Sequence, residues 1–577
     1  MASYAAAQAP EAKAPETPPD ENAPAAISNK DWKANNDNLA AARASGDIAW
    51  MLTSTALVLF MVPGLALFYG GMVRRKNVLA TMMQSMVCLA VVGVYWIVIG
   101  YCLAFGQSQG GWIGWSPDKL LFLAGVKPDE NLAGLNIPIY LHVMFQGMFA
   151  IITPALISGA IAERIRFGPY LLFVLLWVTL VYCPLAHWVW AMNWWGDITV
   201  DGELKAAGTA MVGYLGKEGA LDFAGGTVVH IAAGLSGLAA ILVLRKRLGY
   251  PEHAFHPNSM VLTVLGAGML WFGWFGFNGG SAVSSNSLAV SAFAATQAAA
   301  AAAAVSWTVA EWLHKGKPTA LGWASGVVAG LVAVTPAAGF VPMWGGLAIG
   351  LIAGVVCYVA VCWKAKLGYD DSLDAFGVHG VGGFLGALLT GVFCYKFVNG
   401  AGADGWIAAG TSTQFMIQLK AAALSAVFGF VVTLVLAKIV DDMFGLITDA
   451  KSETDGLDRT EHGEVGFDLG LALESVAASD HQPSEPRSAA VPPNGHKGFS
   501  VVVDGASTSE LMDTWSGLCQ SGNGPPSPEF KAVYPYMTLV EGNRFFFRGG
   551  DPTAISQNMQ SLFQQRMKRP EVQTHVE

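Results

Sequence analysis

The sequence predicts an all-α polytopic membrane protein with eleven transmembrane helices in an inverted five-plus-five repeat, followed by a small α+β C-terminal cytoplasmic module. Of its 577 residues, 53% are hydrophobic and only 13% are charged, which is too apolar a balance for a soluble protein of this size. Apolar stretches of roughly 17–25 residues, each long enough to cross a bilayer, alternate with polar loops. Two groups of residues also recur at matched spacing in the two halves of the chain.

The apolar stretches place the transmembrane domain at residues 46–442. The eleven spans are predicted at residues 47–71, 79–106, 138–162, 168–190, 224–244, 258–278, 286–314, 319–335, 342–363, 375–396 and 412–440. Residues 1–45 are rich in Ala, Pro and Glu and lack an apolar core. They are therefore predicted to be an extracytoplasmic disordered tail, and neither a signal peptide nor a folded domain.

Lys and Arg are distributed unevenly between the two sets of loops. One set contains Arg74, Arg75, Lys76, Arg164, Arg166, Arg245, Lys246, Arg247, Lys315, Lys317, Lys364 and Lys366. The other set contains little beyond Lys119, Lys127, Lys205 and Lys217. Because these cations favour cytoplasmic loops, the protein is predicted to lie in the cell (inner) membrane with its N-terminus outside and its C-terminus in the cytoplasm. Nothing in the charge pattern indicates nucleic acid as a partner.

Two histidines lie deep in apolar spans, His230 in GGTVVHIAAGLSG and His379 in AFGVHGVGGFLG. Polar groups are costly to bury in a bilayer and are usually functional there. The alternative is two unrelated histidines, each satisfied by a backbone carbonyl, but the surrounding residues argue for a related pair. The matched positions are Asp222, His230, Gly234 and Gly237 in span five and Asp371, His379, Gly383 and Gly386 in span ten.

A second match joins spans one and six. Its members are Gly64, Phe68, Gly70 and Gly71 in the first half and Gly273, Phe277, Gly279 and Gly280 in the second. Because each half has an odd number of spans, the second half enters the membrane from the opposite face. Such inverted repeats place their site at the interface between the repeats, near the midplane. The small residues around the two histidines permit close helix approach, which leads to the hypothesis that the imidazoles are adjacent.

The predicted spans offer little to bind a bare cation. Glu163 and Glu311 lie near span ends and neither lies midway, whereas cation pathways use acidic side chains or rings of carbonyls. A neutral or deprotonatable permeant fits better, since imidazole donates and accepts hydrogen bonds and exchanges protons near neutral pH. Trp190, Phe145, Phe149 and Ser281 suggest a mouth at the outer ends, where aromatic faces attract a compact cation. Ordinary aromatic belts at the membrane interface are the alternative.

Several strings resemble the ammonium transporter (Amt/Mep/Rh) family over about residues 47–465. They are FYGGMVRRKN, HVMFQGMFAIITPALISGAIAERIRF, AHWVW, LDFAGGTVVHI, GWFGFNGGS and DDSLDAFGVHGVGG. The resemblance implies an eleven-helix protomer, assembled as a homotrimer, with a narrow apolar pore through each subunit. The presence of both histidines points to the ammonium transporter branch.

The resemblance also implies a role for each matching residue. The ammonium recruitment site would be formed by Trp190, Phe145 and Ser281, with Asp222 capping a helix and ordering the outer vestibule. The transport pore would be formed by the gate residues Phe149 and Phe277, the wall residue Trp274, and the paired His230 and His379. Ammonium would cross as ammonia plus a proton.

The region after span eleven divides into four parts. Residues 443–469 contain GLDRTEHGE and resemble the family's cytoplasmic tail, which implies contact with a neighbouring subunit and with a PII-type regulator. Residues 470–497 are predicted to be a linker, and residues 571–577 a tail. Residues 498–570 suggest strand, helix, strand, strand and helix, and are interpreted as a small regulatory or docking module. A partly ordered tail with no specific role is the alternative.

Three functional hypotheses follow. The favoured one is an ammonium transporter that moves net charge; the others are an ammonium sensor that signals through its C-terminal module with little or no transport, and a neutral-gas channel of the Rh kind. The C-terminal module contains no nucleotide loop or paired catalytic acids, so an enzyme is not predicted. Six of the seven cysteines lie in or beside spans with no CxxC motif, so no metal site, disulfide framework or cofactor is predicted.

Overall fold

The computed structural model describes residues 29–253, 255–467, 499–504, 510–511, 537–541, 544–547, 551–568, 570 and 572–576. The chain divides into two compact units, Met1–Leu471 and Ala472–Glu577. The first unit is helical and has two small hairpins in its loops, formed by Ser108–Gln109 with Ile113–Gly114 and by Ile198–Val200 with Glu203–Lys205.

Ten helices in the described part of the chain are long and apolar enough to cross a membrane. They are Trp32–Met72, Arg75–Phe105, Ile139–Ile161, Phe167–Trp190, Gly226–Val243, Met260–Gly279, Ser287–Lys315, Met343–Leu367, Phe376–Phe393 and Thr413–Phe444. An eleventh, shorter apolar helix, Ala320–Val334, lies between the seventh and the eighth of these. In chain order the eleven are spans one to eleven, and the predicted all-α membrane fold is confirmed.

The first helix differs from its predicted start. It begins at Asn29 and runs without interruption to Met72, whereas residues 1–45 were predicted to be a disordered tail. Residues 38–44 contain the good helix formers Leu, Ala and Arg. Once the apolar span has formed, each further helical residue adds a hydrogen bond without a new nucleation cost, so the helix extends beyond its apolar part.

Five spans contain a wide π-helical turn. The turns are Trp96–Gly100, Val178–Tyr182, Gly226–Ile231, Phe275–Gly279 and Phe376–Gly380. Such turns are rare in proteins, but those that do occur often lie at functional sites. Three of them contain a predicted site residue, namely His230, Phe277 and His379.

Glycines allow spans one and six, which occupy equivalent positions in the two halves of the repeat, to cross in close contact. A Cβ atom at Gly71 would lie 2.5 Å from the carbonyl oxygen of Ser259, and one at Gly280 would lie 2.5 Å from the Cβ of Ser54. Real Cβ atoms do not approach other atoms so closely, so neither position accommodates a side chain without a shift. The matched glycines therefore allow the two helices to cross in close contact at both ends.

A buried ion network joins the two halves at their inner ends. Arg164 Nη1 lies 2.6 Å from Asp370 Oδ2, and Arg247 bridges Asp370 at 2.7 Å and Glu163 at 2.9 Å. Arg74 Nε also donates to Glu163 Oε1 at 3.0 Å. Burial alone would raise the pKa of Asp370, but the hydrogen bonds from Arg247 and the charge of Arg164 outweigh it and hold that pKa below its usual range. The network fixes loops that follow spans three, five and nine.

The segment after span eleven packs against the inner ends of the same protomer. Asp458 Oδ1 accepts a hydrogen bond from the Ala80 amide at 2.8 Å, and Glu461 Oε2 accepts one from the Phe167 amide at 2.8 Å. Glu453 lies 2.5 Å from Arg245. This segment contains two short helices, Ala450–Asp455 and Leu457–His462.

The second unit contains a four-stranded antiparallel sheet and a helix. The strands lie in the order Met537–Glu541, Arg544–Phe547, Phe499–Asp504 and Gln573–Val576, and the helix is Pro552–Met567. Val501, Val503 and Phe545 pack against Met559 and Phe563 of the helix. Residues 510–511 are helical, and the rest of the helix predicted at 509–520 lies outside the described residues.

The last strand corrects one prediction. Residues 571–577 were predicted to be a tail, yet Gln573–Val576 pairs with Val501–Asp504. The strand is short and its letters, QTHV, carry a weak apolar signal, so its pairing depends on the neighbouring strand and not on its own composition. Thr574 Oγ1 also donates to the Ser556 carbonyl at 2.8 Å, which ties the strand to the helix.

We expect the Asp370→Ala variant to lose about 3–5 kcal/mol of unfolding free energy, because Arg164 and Arg247 would stay buried without their partner. Thermal unfolding of the detergent-solubilised protein measures this. Since the pKa of Asp370 is depressed in the folded state, its contribution is present above about pH 4 and is lost as the pH falls further. The control is Asp442→Ala, which removes an exposed carboxylate paired with Lys438; an equal loss in both variants would contradict the argument.

Candidate functional site

The two histidines of the repeat meet inside the membrane domain. Their Nδ1 atoms are 3.3 Å apart, and the ring centroids are 5.4 Å apart with an angle of 27° between the planes. Both side chains are buried, with 1% of His230 and 4% of His379 exposed. The hypothesis of adjacent imidazoles therefore agrees with the geometry, which allows an Nδ1–H of one neutral ring to donate a hydrogen bond to the Nδ1 atom of the other.

Glycines at equivalent positions of the repeat make this approach possible. A Cβ atom at Gly234 would lie 2.1 Å from the Gly380 nitrogen, and one at Gly383 would lie 2.8 Å from the Cβ of His230. Each glycine is four residues after the histidine of its own span, so each helix presents a bare backbone to the histidine turn of the other. The spacing His-x3-Gly in both halves is thus explained by contact between spans five and ten.

The repeated aspartates cap the two helices that contain the histidines. The Asp222 carboxylate accepts hydrogen bonds from the amides of Gly225 at 2.8 Å and Gly226 at 2.6 Å, and also from Thr227. Asp371 accepts from the amide of Phe376 at 2.8 Å. These bonds satisfy helix N-terminal N–H groups that otherwise have no partner. Burial raises the pKa of the Asp371 carboxyl to about 6.

An aromatic stack lies directly against the histidine pair. The rings of Phe149 and Phe277 are stacked with centroids 4.1 Å apart and an angle of 19°. Phe145 contacts Phe149 at 5.0 Å and Trp190 contacts it at 6.0 Å, both edge to face. His230 lies 6.2 Å from Phe277 on the other side. A continuous series of ring contacts therefore runs from Trp190 to the histidines.

Hydrogen bonds fix the orientation of the side chains along this series. Trp190 Nε1 donates to the Asp222 carbonyl oxygen at 2.9 Å, and Trp274 Nε1 donates to Thr335 Oγ1 at 2.9 Å. The hydroxyl of Ser281 donates to the Phe277 carbonyl oxygen at 2.8 Å. With its proton engaged, the Ser281 oxygen has only lone pairs to offer to a ligand. Trp274 stacks on His230 with centroids 5.4 Å apart.

A narrow apolar cavity adjoins the histidines and Phe277. The volume of this cavity that the centre of a water molecule can occupy is about 10 Å³. This is close to the minimum volume needed to hold one water molecule. Beside His230, His379, Trp274 and Phe277, it is lined by Met61, Leu65, Phe68, Ile152, Leu156, Val229, Leu270 and Val328. The sequence did not identify these eight lining residues as part of the site. Only Phe68 carried a signal, since it is the repeat counterpart of Phe277.

All nine residues singled out in the sequence lie in this one assembly. Its architecture is typical of a membrane transporter: inverted halves of membrane helices surround a narrow apolar cavity, with buried polar groups near the repeat interface. The chain belongs to the Ammonium Transporter Family, whose model matches residues 49–467.

The chain is similar over this region to proteins named as ammonium transporters and to solved structures. It is 46% identical to an ammonium transporter of Bacillus subtilis over 425 residues, covering 73% of this chain and 98% of that protein. Among solved structures, it is similar to Saccharomyces cerevisiae Mep2, with a TM-score of 0.62, 35% identity and coverage of 70% and 88% of the two chains. A structure titled Sensor Amt Protein has a TM-score of 0.64 at 27% identity and covers 73% of this chain and 99% of that one.

We expect Gly234→Ala to reduce stability by about 1–3 kcal/mol, since the added methyl group has no room between spans five and ten. The ammonium-evoked current should also fall as the imidazoles separate. Gly268→Ala is the matched control, because a Cβ at that span-six glycine meets nothing within 4 Å. Thermal unfolding and currents are measured on both variants; equal behaviour would show that the close approach at Gly234 is unimportant.

Proposed function

We propose that each protomer conducts ammonium across the cytoplasmic membrane, as ammonia plus a proton, through the passage lined by His230 and His379. The observation that carries this proposal is the pair of imidazoles 3.3 Å apart at the end of an apolar cavity, directly beneath a stacked aromatic pair. An apolar passage is open to a small neutral molecule and closed to a hydrated ion, so the proton needs a carrier of its own.

Ammonium is captured at an outer mouth formed by Trp190, Phe145 and Ser281. The aromatic faces attract a compact cation by roughly 0.5–2 kcal/mol, depending on its desolvation. The oxygen of Ser281 accepts one ammonium hydrogen bond because its own proton is donated to Phe277. Asp222 holds Trp190 through its carbonyl group and adds a fixed negative charge behind the mouth.

The next step takes place at the stacked pair Phe149 and Phe277. With the ring centroids 4.1 Å apart, the two rings close the route between the mouth and the histidines. Passage therefore requires the rings to move apart, and a species that has lost its water and its proton passes with the smallest displacement. Ammonia meets this requirement, whereas the hydrated cation does not.

The histidine pair provides a route for the proton. Because one Nδ1–H is shared between the two rings, the neutral pair keeps one Nε2 with a proton and one with a lone pair. A proton accepted at the free Nε2 of one ring allows a transfer through the Nδ1 atoms and a release from the Nε2 of the other. Ammonia and the proton then recombine on the inner side.

The same geometry accounts for the rejection of potassium. Potassium has no proton to lose, so it must enter as a cation. The lining residues between Phe277 and His379 are apolar or aromatic, and they offer no set of oxygen ligands to replace its hydration shell. The cost of dehydration therefore stays uncompensated, and selectivity follows from the chemistry of deprotonation and not from size.

Location and assembly are part of the proposal. The chain is a multi-pass membrane protein, and the asymmetry of Lys and Arg supports an orientation with the N-terminus outside and the C-terminus in the cytoplasm. Family membership supports a homotrimer and contact of the cytoplasmic face with a PII-type regulator. The domain limits proposed are 46–442 for the transporter, 443–469 for its tail and 498–576 for the module, whose sheet includes the strand Gln573–Val576.

A second candidate is an ammonium sensor with little or no transport. It is favoured by the similarity to the structure titled Sensor Amt Protein and by the folded C-terminal unit, whose helix and sheet share a core that includes Phe545 and Phe563. The Rh-like gas channel is less favoured, since the aromatic mouth and both histidines are present together.

Replacing His230 or His379 with Ala should abolish the saturable current that an ammonium pulse evokes in proteoliposomes on a solid-supported membrane, or should remove the discrimination against potassium. Either result follows from the loss of the proton route. His314→Ala is the control, because this histidine does not line the cavity. Its Nδ1 atom forms a hydrogen bond of 2.7 Å with the hydroxyl of Tyr358. Wild-type current and selectivity in the His230 and His379 variants would exclude the relay.

Truncation after residue 467 separates the transporter from the sensor. If the chain is a transporter, the truncated protein should retain the saturable current, because every residue of the proposed passage precedes the cut. Tight ammonium binding without current in the full-length chain would establish the sensor instead. Uptake of ammonia with no current would establish the gas channel.

A further inference from the structure

We propose that Asp47 is a positioning residue for ammonium capture, which acts by holding the turn that follows span six. This inference rests on the proposed function, because it concerns the same outer mouth. The turn comprises residues 280–286 and contains Ser281. Asp47 lies near the outer end of the apolar part of span one, a position that the sequence analysis did not single out.

The Asp47 carboxylate is buried and engaged by the turn. Only 5% of the residue is exposed. Its Oδ1 accepts from Ser284 Oγ at 2.7 Å and from the Ser285 amide at 2.7 Å, and its Oδ2 accepts from Asn136 Nδ2 at 3.2 Å. Hydrogen bonds to a charged acceptor are among the stronger ones. One side chain thus joins span one, the turn and the loop before span three.

The turn needs such a holding contact because its backbone is strained. Val283 is buried and has φ of 46°, a left-handed conformation that a β-branched residue rarely adopts. Its amide donates to the Gly280 carbonyl at 2.7 Å. Strained residues of this kind persist only where surrounding contacts determine the conformation, and the bonds from Ser284 and Ser285 to Asp47 lie immediately after Val283.

The turn transmits its position to the mouth. A Cβ atom at Gly280 would lie 2.5 Å from the Cβ of Ser54 and 2.9 Å from the ring of Phe145, so the turn is packed directly against a mouth residue. Trp50 Nε1 also donates to the Gly279 carbonyl at 3.2 Å. Relaxation at Val283 would therefore displace both Ser281 and the backbone that supports Phe145.

The inner end of the repeat has an equivalent contact without a charge. There, Asn258 at the start of span six donates through Nδ2 to the carbonyls of Gly70 at 2.5 Å and Val73 at 2.8 Å. The start of one span thus holds the end of its repeat partner on each face. Only the outer contact uses a carboxylate, which adds negative charge on the side where a cation is captured.

The test compares half-saturating ammonium concentrations for currents from proteoliposomes, normalised to folded protein. Asp47→Asn keeps the size of the side chain and weakens the hydrogen bonds that it accepts from Ser284 and Ser285. We expect it to raise the half-saturating concentration about three- to tenfold, the equivalent of one hydrogen bond, with little change in maximal current. Asp404→Asn is the control, since this carboxylate accepts from the Lys396 amide at 2.8 Å in another loop on the same face and should leave the concentration unchanged.

Two backgrounds identify the route of action. Glycine adopts a left-handed backbone without strain, so in a Val283→Gly background Asp47→Asn should change the half-saturating concentration by less than about twofold. In a Ser281→Ala background, Asp47→Asn should add little to the increase that Ser281→Ala itself causes. If Asp47→Asn does not fold, Ser284→Ala, which removes one donor to Asp47, should give a smaller increase in the same direction.

The outcomes separate the two proposals. An increase with Ser281→Ala but none with Asp47→Asn or Ser284→Ala would overturn the role of Asp47 and leave the mouth intact. An increase with Asp47→Asn that persists undiminished in the Val283→Gly background, or that Asp404→Asn reproduces, would also overturn it. If Ser281→Ala itself has no effect, the proposed mouth is wrong and the role of Asp47 falls with it.

Discussion

The close crossing of spans five and ten is the contact on which the site depends. At Gly234 and Gly383 each helix lacks the side chain that would hold the other away, and the two imidazoles meet only because the backbones come so near. The hydrophobic effect does not drive helices together in a bilayer, because lipid tails are themselves apolar. Close van der Waals packing through small residues therefore supplies much of the stabilisation between helices. The polar pair is thus built into the interface that holds the two halves together.

Polar groups elsewhere in the membrane domain follow a consistent rule. Buried carboxylates near the span ends accept hydrogen bonds from backbone amides or from arginines. Asp222 and Asp371 cap helices, and Asp370 forms ion pairs with two arginines. The cavity beside the histidines is lined otherwise by apolar and aromatic side chains. Charge is therefore concentrated at the two ends while the middle stays apolar, an arrangement that the proposed passage of ammonia without its proton requires.

Much of this architecture was predictable because a bilayer imposes strict limits on sequence. A span needs a long apolar stretch, so the helices were located to within a few residues, apart from the start of the first. The repeated spacing around His230 and His379 identified the pair, and the family resemblance assigned Trp190, Phe145 and Ser281. These signals are local in sequence or shared with relatives.

The rest could not be predicted, because it depends on which side of an apolar helix faces the passage. Met61, Leu65 and Val328 line the cavity, yet in sequence they are indistinguishable from residues that face lipid. The two arginine partners of Glu163 are 84 and 89 positions away in the chain, and no sequence pattern predicts these pairings. The wide turns at the histidines follow from tertiary contacts of glycine-rich backbone, which propensity alone does not encode.

The wide turns also show where the two halves of the repeat keep the same backbone and where they differ. A π-helical turn holds one residue more than an α-helical turn, and it rotates everything beyond it relative to the rest of the span. The turns at His230 and His379 fall at equivalent positions of the two halves, whereas the turn at Phe277 has an ordinary helix as its counterpart in span one. The turns in spans two and four likewise have uninterrupted α-helices as their counterparts in spans seven and nine. Of the five wide turns in the described residues, the two at the histidines therefore form the one pair shared between the halves. The symmetry of the repeat is thus kept in backbone geometry at the histidines and lost at the other wide turns, so the two imidazoles approach each other from equivalent positions.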